Sequence, residues 1–234
     1  MSKRRQPPQQ EPPVQRMRLR YAKRGRARFT SHRDFARAFE RALRRADIPM
    51  AYSSGFNPHP RMSFANAAPT GAATESEYLE IGLAAICDPG KVREELDAAL
   101  PPGLDILTVV EAGSGGLMDR LTGSRWQIAW HGLDPLTAQA AVSALLAADE
   151  VMVERLTKRG MRRFNAREAV VELTVSPPGM ELLTRHLTPL VRPDDVLQAL
   201  TLTHPQLDPP ASPLLTRLEQ GELVGVEILD PLRD

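Results

Sequence analysis

Two histidines in the first quarter of the chain carry side chains that could exchange protons near neutral pH. His32 stands where a predicted strand gives way to a predicted helix, and His59 stands in a loop rich in glycine and proline. Imidazole titrates near neutrality, so the pair could supply the base and the acid for cleavage of RNA by its own 2′-hydroxyl. The simpler interpretation is structural, with His32 bonding at the helix start and His59 fixing its loop. A metal-independent endoribonuclease that uses His32 and His59 is therefore kept as an alternative.

A metal site is the weaker use of the same side chains. His32, Asp34 and His59 could each ligate a metal, but no single stretch has a ligand spacing that is specific for one. The chain also contains neither a GxGxxG motif nor a Walker loop for a nucleotide. The sequence thus predicts no metal and no cofactor.

Arginine recurs at helical spacing after His32. Arg37, Arg41 and Arg44 or Arg45 are three to four residues apart, which places their guanidinium groups along one face of a helix. Guanidinium forks match phosphate oxygens, so this face could bind the backbone of a nucleic acid. The alternative is the solvated face of an amphipathic helix.

Two predicted strands add further cations and an aromatic ring. Arg18 and Arg20 alternate with apolar residues on one strand, and Tyr78 and Glu80 do so on another. If helices cover the apolar face of the sheet, these four side chains lie on its exposed face. Such a face could stack on and clamp a single strand, although Glu80 would repel phosphate.

The RNA-binding hypothesis therefore combines cationic, aromatic and polar side chains of the first 78 residues. The arginines would hold the phosphate backbone, and Tyr52, Asn57 and His59 would contact a nucleotide. The candidate RNA-binding residues are Arg18, Arg20, Lys23, Arg28, Arg37, Arg41, Arg44, Arg45, Tyr52, Ser53, Asn57, His59, Arg61 and Tyr78.

The charge distribution supports this placement. The net charge of the 234 residues is only +1, but residues 1–61 hold 16 Lys and Arg against 4 Asp and Glu, while residues 62–234 hold 14 against 25. A split of this size predicts one basic and one acidic surface. We expect the acidic part to engage a partner protein.

The order of the predicted elements sets where these side chains lie. It reads β-α-β-β-α-β, the ferredoxin-like arrangement, with a loose capping pattern at Ser31 and Asp34 starting the first helix. The predicted elements are strands over 17–21, 62–65, 77–86 and 104–110, and helices over 31–48 and 91–100.

After the glycine-rich residues 113–116 the pattern approximately repeats. Strands are predicted over 125–130, 151–157, 167–175 and 223–229, with 180–186 extending the middle pair, and helices over 135–148 and 194–200. The sequence thus predicts an α+β fold of two tandem ferredoxin-like (βαββαβ) units, a basic one over 16–112 and a more acidic one over 117–234. A disordered tail rich in proline and glutamine is expected over 1–15.

The number of cysteines and the hydropathy of the chain indicate the cellular compartment in which the protein is expected. The single cysteine, Cys87, lies after an apolar run and is predicted to be a small buried residue. One cysteine excludes a disulfide within the chain and an iron–sulfur cluster held by several cysteines. With no signal-peptide pattern and no apolar run of about 18 residues, we expect a cytoplasmic protein that does not enter a membrane.

Residues 23–78 carry a recognisable pattern. It consists of K-x-G-x-x-x-F-x-S-H-x-D from Lys23, R-x-x-x-R-x-x-R-R from Arg37, P-x-x-Y-S-x-G-F-N-P-H-P from Pro49 and E-S-E-Y from Glu75. This pattern resembles the radical SAM-associated (radical SAM-linked) domain of unknown function. Members of that family occur alone or fused behind a cobalamin-binding-type radical SAM protein, and their genes often neighbour those for ribonuclease E/G-type enzymes and ribosomal proteins.

The resemblance implies an accessory role. With one cysteine the chain cannot hold the cluster, so we expect an RNA-binding accessory domain, not an enzyme on its own, that works with a separate radical SAM enzyme in tRNA or rRNA modification or processing. A ribonuclease E/G-type enzyme is a further partner that the resemblance suggests. The duplicated fold is also similar to CRISPR RAMP-type RNA-processing proteins, although their glycine-rich loop near the C-terminus is absent. A protein-binding adaptor without nucleic acid is the remaining alternative.

Overall fold

The computed structural model describes residues 9–157, 160–207 and 211–233, and the chain divides into two compact units. The first unit comprises Met1–Asp119 and Leu232–Asp234, and the second comprises Arg120–Pro231. The described residues form a mixed α+β protein with four α-helices and antiparallel strand pairs. By sequence the first unit holds 19 Lys and Arg against 15 Asp and Glu, and the second holds 11 against 14. The strongest positive charge therefore belongs to residues 1–61 rather than to the whole first unit.

The first unit contains every element that the sequence predicts for it, in the predicted order. Both β1 and β2 pair with β3, and β4 pairs with β1, which gives the strand order β4-β1-β3-β2. The elements are β1 Gln15–Lys23, α1 His32–Arg45, β2 Met62–Ala65, β3 Ala73–Leu83, α2 Pro89–Ala99 and β4 Leu104–Glu111.

The first helix, α1, forms where the sequence predicts it because one face is apolar and its start is capped. The Ser31 hydroxyl accepts a hydrogen bond from the Asp34 backbone N–H at 3.2 Å. Phe35 and Phe39 are buried in the core of the unit, and the Phe35 ring stacks on Tyr21 of β1 with centroids 4.9 Å apart. Burial of this face fixes the rotation of the helix and turns the opposite face to solvent.

The second unit is built around a four-stranded antiparallel arrangement in the order β10-β5-β9-β8, with β11 paired to β10. A separate hairpin, β6 with β7, lies between α3 and β8 in the chain. The elements are β5 Gly123–Ala129, α3 Pro135–Ala147, β6 Met152–Thr157, β7 Gly160–Asn165, β8 Val170–Ser176, β9 Gly179–Arg185, α4 Pro193–Thr203, β10 Leu214–Val224 and β11 Glu227–Leu229.

Two details of the second unit differ from the prediction. The strands predicted over 151–157 and 167–175 are present as β6 and β8, but they do not pair with each other, because β6 pairs with β7 and β8 pairs with β9. The final strand predicted over 223–229 is interrupted by a turn at Gly225, which has a positive φ of 62°. Most of the last long strand lies earlier, in β10, where charged residues mask the alternation.

The N-terminal segment and Cys87 also differ from expectation. Residues 1–8 of the predicted tail lie outside the described residues, but the Val14 N–H donates to the Leu83 carbonyl at 2.8 Å and β1 begins at Gln15. Cys87 is half-buried rather than buried, because β3 ends at Leu83 and the chain then turns outward. None of the helices in the described ranges is long and apolar enough to cross a membrane.

Candidate nucleic-acid interface

The solvent face of α1 is lined with arginine. At about 100° per residue, Arg33, Arg37, Arg41 and Arg44 fall within an arc of about 80°, and all four are exposed. Arg37 lies 3.9 Å from the Asp34 carboxylate, whereas the side chains of Arg33, Arg41 and Arg44 make no ion pair or hydrogen bond with the described residues. These guanidinium groups are therefore available to phosphate oxygens. Arg45 differs, because its Nη1 donates to the Ala99 carbonyl at 3.2 Å.

A short 3-10 helix, Gly25–Phe29, leads into α1 and presents an exposed ring. The Phe29 side chain is 61% exposed, and the Arg28 guanidinium carbon lies 4.6 Å from its ring centroid. Gly25 has a φ of 54°, a conformation that glycine adopts without strain. An exposed ring beside a cation can stack on a nucleobase.

The segment over 51–61 doubles back on itself as a narrow ribbon. The Ser53 N–H donates to the His59 carbonyl at 2.9 Å, and the Ser53 hydroxyl accepts from the His59 N–H at 3.1 Å. Tyr52 packs against the core of the unit, so its ring is a support for the ribbon. The tip carries Phe56, which is 74% exposed, together with the exposed Asn57 and His59.

The two exposed rings, Phe29 and Phe56, are not among the candidate RNA-binding residues of the sequence. Both lie inside the family-like pattern. Phenylalanine is more often buried than exposed, and Tyr52 lies four residues before Phe56 at helical spacing, so local spacing does not identify these rings as exposed.

The expectation that Arg18 and Tyr78 lie on an exposed sheet face is wrong, since each is only 2% exposed. Arg18 Nε donates to the Glu80 carboxylate at 3.2 Å, and its Nη2 donates to the Gly115 carbonyl. The Tyr78 hydroxyl accepts a hydrogen bond from the Ser76 hydroxyl at 3.2 Å. Arg20 is half-buried, and its Nε donates to the Glu75 carbonyl at 2.9 Å. The alternation along β1 correctly places Arg18 and Arg20 on the face opposite to Met17, Leu19 and Tyr21. It does not show that the face with the arginines is also buried.

Lys23 is also buried, and it lines one small cavity with His32 and Glu77. Lys23 and His32 come from the first stretch of the pattern and Glu77 from the last. The cavity of about 40 Å³ is of the size of one or two water molecules. The Glu77 carboxylate accepts a hydrogen bond from the Ala68 N–H at 3.0 Å. The His32 ring meets Phe64 edge-on, with centroids 5.1 Å apart.

His59 is not among the residues that line this cavity, whereas His32 and Lys23 both are. Within the described ranges, no group of three or more His, Cys, Asp or Glu side chains is arranged to hold a metal ion. The chemistry that the unit offers is therefore mainly cationic and aromatic, on α1, on the 3-10 helix and on the ribbon over 51–61.

Comparisons with known proteins identify the family. No curated protein matches the chain. Among solved structures, an unknown protein from Galdieria sulphuraria is 15% identical, with 90% of this chain and 99% of that chain covered and a TM-score of 0.29, a likeness from which no conclusion about fold or function follows. The model of the family described as "uncharacterized protein conserved in bacteria (DUF2344)" matches residues 16–193. Because that match spans well over half of the sequence, the chain belongs to this bacterial family.

Proposed function

We propose that the protein is an RNA-binding accessory domain and that its first unit holds single-stranded RNA. The observation that carries the proposal is the arginine face of α1, on which Arg33, Arg41 and Arg44 have no ion-pair or hydrogen-bond partner among the described residues. A helix needs only a few charges to stay solvated, whereas a row of guanidinium groups without carboxylate partners suits the repeating phosphates of a nucleic acid.

The exposed rings favour a single strand over a duplex. Phe29 and Phe56 lie on short, hydrogen-bonded segments rather than in the core. Aromatic side chains bind unstacked bases, and every base has a face on which a ring can stack. Asn57 and His59, exposed beside Phe56, would add polar contacts to the same nucleotides.

The strand orders support the finer fold proposal, two tandem ferredoxin-like units. Read as βαββαβ, the first unit has the order β4-β1-β3-β2. The second has the equivalent order β10-β5-β9-β8 once the β6–β7 hairpin is treated as an insertion. Two copies of one sheet architecture would let one unit bind RNA and leave the other for a second partner.

The partner is proposed from the resemblance to the radical SAM-associated domain. A separate radical SAM enzyme would act on tRNA or rRNA in the cytoplasm while this chain presents the RNA. The second unit, with more Asp and Glu than Lys and Arg, would contact that enzyme. Cys87 is the only cysteine, so this chain leaves any cysteine-bound cluster to the partner.

Charge reversal on α1 tests the proposal. We expect the Arg37→Glu/Arg41→Glu variant to lose at least about tenfold in affinity for a short single-stranded RNA, because two phosphate contacts become repulsive. Lys91→Glu, an exposed change on α2 of the same unit, is the matched control and should retain binding. Unchanged RNA affinity in the α1 variant contradicts the proposal. If the same variant instead loses its complex with a protein partner in the absence of RNA, the chain is an adaptor.

A metal-independent endoribonuclease is the second candidate, and the position of His32 beside the buried Lys23 favours it. A base and a nearby cation are two of the groups that cleavage by the 2′-hydroxyl requires. Incubation of the purified chain with RNA in the presence of a chelator tests this candidate. Unchanged RNA, or equal cleavage by a His32→Ala variant, contradicts it.

A further inference from the structure

A pocket of about 310 Å³ opens on the first unit where β1, β2 and β3 meet the end of the ribbon over 51–61. That volume lies at the lower end of the range of small-molecule sites, about 300–1,000 Å³. It is several times larger than the cavity beside His32, which holds about 40 Å³. The residues that matter for its chemistry are Arg16, Arg61, Met62, Ser63, Glu80 and Gly82.

The first feature of the pocket is a fixed arginine. Arg61 Nε donates to the Tyr52 carbonyl at 3.1 Å, and the Arg61 backbone bonds to Ala51 and Gly82 on either side, at 2.8 and 2.9 Å. The terminal nitrogens of Arg61 make no hydrogen bond with the described residues. A guanidinium that is held at one nitrogen and available at the other two is suited to a bidentate bond with an oxyanion.

The second feature is a carboxylate flanked by two further arginines. Glu80 accepts from the buried Arg18 at 3.2 Å, and the exposed Arg16 lies 3.7 Å from its other oxygen. Both Glu80 oxygens keep acceptor capacity, because a carboxylate has about four lone-pair sites. Arg16, Arg18 and Arg61 bring three positive charges to the pocket and its wall, against the one negative charge of Glu80. The net positive charge favours an anionic ligand, and the Glu80 oxygens favour one that also carries hydrogen-bond donors.

The third feature is the close approach of two segments over Gly82. A Cβ atom at this position would lie 3.0 Å from the Pro13 Cβ and 3.3 Å from the Arg61 Cβ. Glycine therefore lets the N-terminal segment and the ribbon close around the strand. The approach of these two segments sets the wall of the pocket beside Arg61.

We infer that this pocket is the subsite for one guanosine nucleotide of the RNA, an assignment that rests on the proposed function. The phosphate lies between Arg16 and Arg61, and the base places its N–H edge against Glu80. Guanine offers two adjacent donors on that edge, whereas uracil, adenine and cytosine each offer a single donor group there, so a carboxylate distinguishes guanine. The apolar side of Met62 can cover part of the base.

Mononucleotide titration by calorimetry tests the assignment on the full chain, with guanosine 5′-monophosphate, uridine 5′-monophosphate and inorganic phosphate as probes. We expect guanosine monophosphate to bind at least about tenfold more tightly than the other two, a difference equivalent to one good hydrogen-bonded pair. Arg61→Ala should weaken it about tenfold, and Glu80→Gln should remove the preference for guanine. Arg16→Ala, a change at a side chain that is 62% exposed, provides a variant whose folding is not in question.

The outcomes separate the subsite from the proposed function. Equal binding of the two nucleotides, or unchanged binding after both Arg16→Ala and Arg61→Ala, overturns the guanosine subsite even if the chain binds RNA. Failure of the wild-type chain to bind any RNA overturns the proposed function itself. Lys91→Ala, an exposed change on α2 outside the pocket, should leave mononucleotide binding unchanged.

Discussion

Arg18 and Glu80 face each other as cross-strand partners on β1 and β3, and the Arg18 Nε donates to the Glu80 carboxylate over 3.2 Å. The arginine is 2% exposed, and its Nη2 also donates to the Gly115 carbonyl. The alternation of the strand predicts that Arg18 is a surface residue, but its ion pair with Glu80 makes it a structural one. It also holds Glu80 in the wall of the pocket proposed to bind guanosine.

Removal of the Arg18 side chain is expected to destabilise the protein. Arg18→Ala should lower the free energy of unfolding by about 3 kcal/mol, because it leaves the Glu80 carboxylate without its buried partner. Lys91→Ala, an exposed change on α2, should stay within about 0.5 kcal/mol. Urea unfolding of both variants provides the measurement, and equal values for the two would show that Arg18 is not a structural residue. Combining Arg18→Met with Glu80→Gln should recover part of the loss.

The exposed ring at the tip of the ribbon should matter for binding and not for stability. We expect Phe56→Ala to weaken binding of single-stranded RNA about tenfold, since stacking of one base on an aromatic side chain contributes about 1–3 kcal/mol. Its melting temperature should not change, because the ring is exposed. Ile86→Ala, at another exposed apolar side chain of the same unit, is the control. RNA affinities equal to wild type in both variants would remove Phe56 from the interface.

The second unit should lose stability in mild acid. The His186 ring bonds to the Ser124 hydroxyl at 2.8 Å and to the Leu121 carbonyl at 2.6 Å, and burial lowers the pKa of His186, with a further lowering from Arg217. The unfolded chain then binds the proton more readily than the folded chain. The contribution of neutral His186 to the free energy of unfolding is therefore complete above the unfolded pKa of about 6.5. It declines as the pH falls toward the lower pKa of His186 in the folded protein.

The measurement is the free energy of unfolding of wild type and His186→Gln between about pH 7.5 and about pH 5.5. Wild type should lose more stability over this interval than the variant, which has no titrating group at this position. A constant difference between the two proteins across the interval would contradict the lowered pKa of His186.

The sequence predicts the first unit more completely than the second for a physical reason. In α1 the apolar and charged faces repeat every three to four residues, so both the helix and its arginine face can be inferred from local spacing. Strand pairing depends on residues far apart in the chain. The hairpin of β6 and β7 and the early start of β10 therefore could not be inferred from alternation alone.

The candidate interface was predictable to a similar extent. The arginine face and the exposed Asn57 and His59 follow from helical spacing and turn-forming residues. The burial of Lys23 and Tyr78 depends on what covers the sheet, which local spacing does not contain. Exposure of Phe56 runs against the average behaviour of aromatic residues, so only the structure identifies it.

The dependence of RNA affinity on salt concentration tests the central proposal most directly. We predict that the logarithm of the association constant for single-stranded RNA falls linearly with the logarithm of the salt concentration, with a slope of about −0.7 for each phosphate contacted. Replacing Arg37 and Arg41 with glutamine should make that slope less negative by about 1.4, since two contacts are lost. No binding at low salt, or an affinity that does not change with salt, would contradict the account.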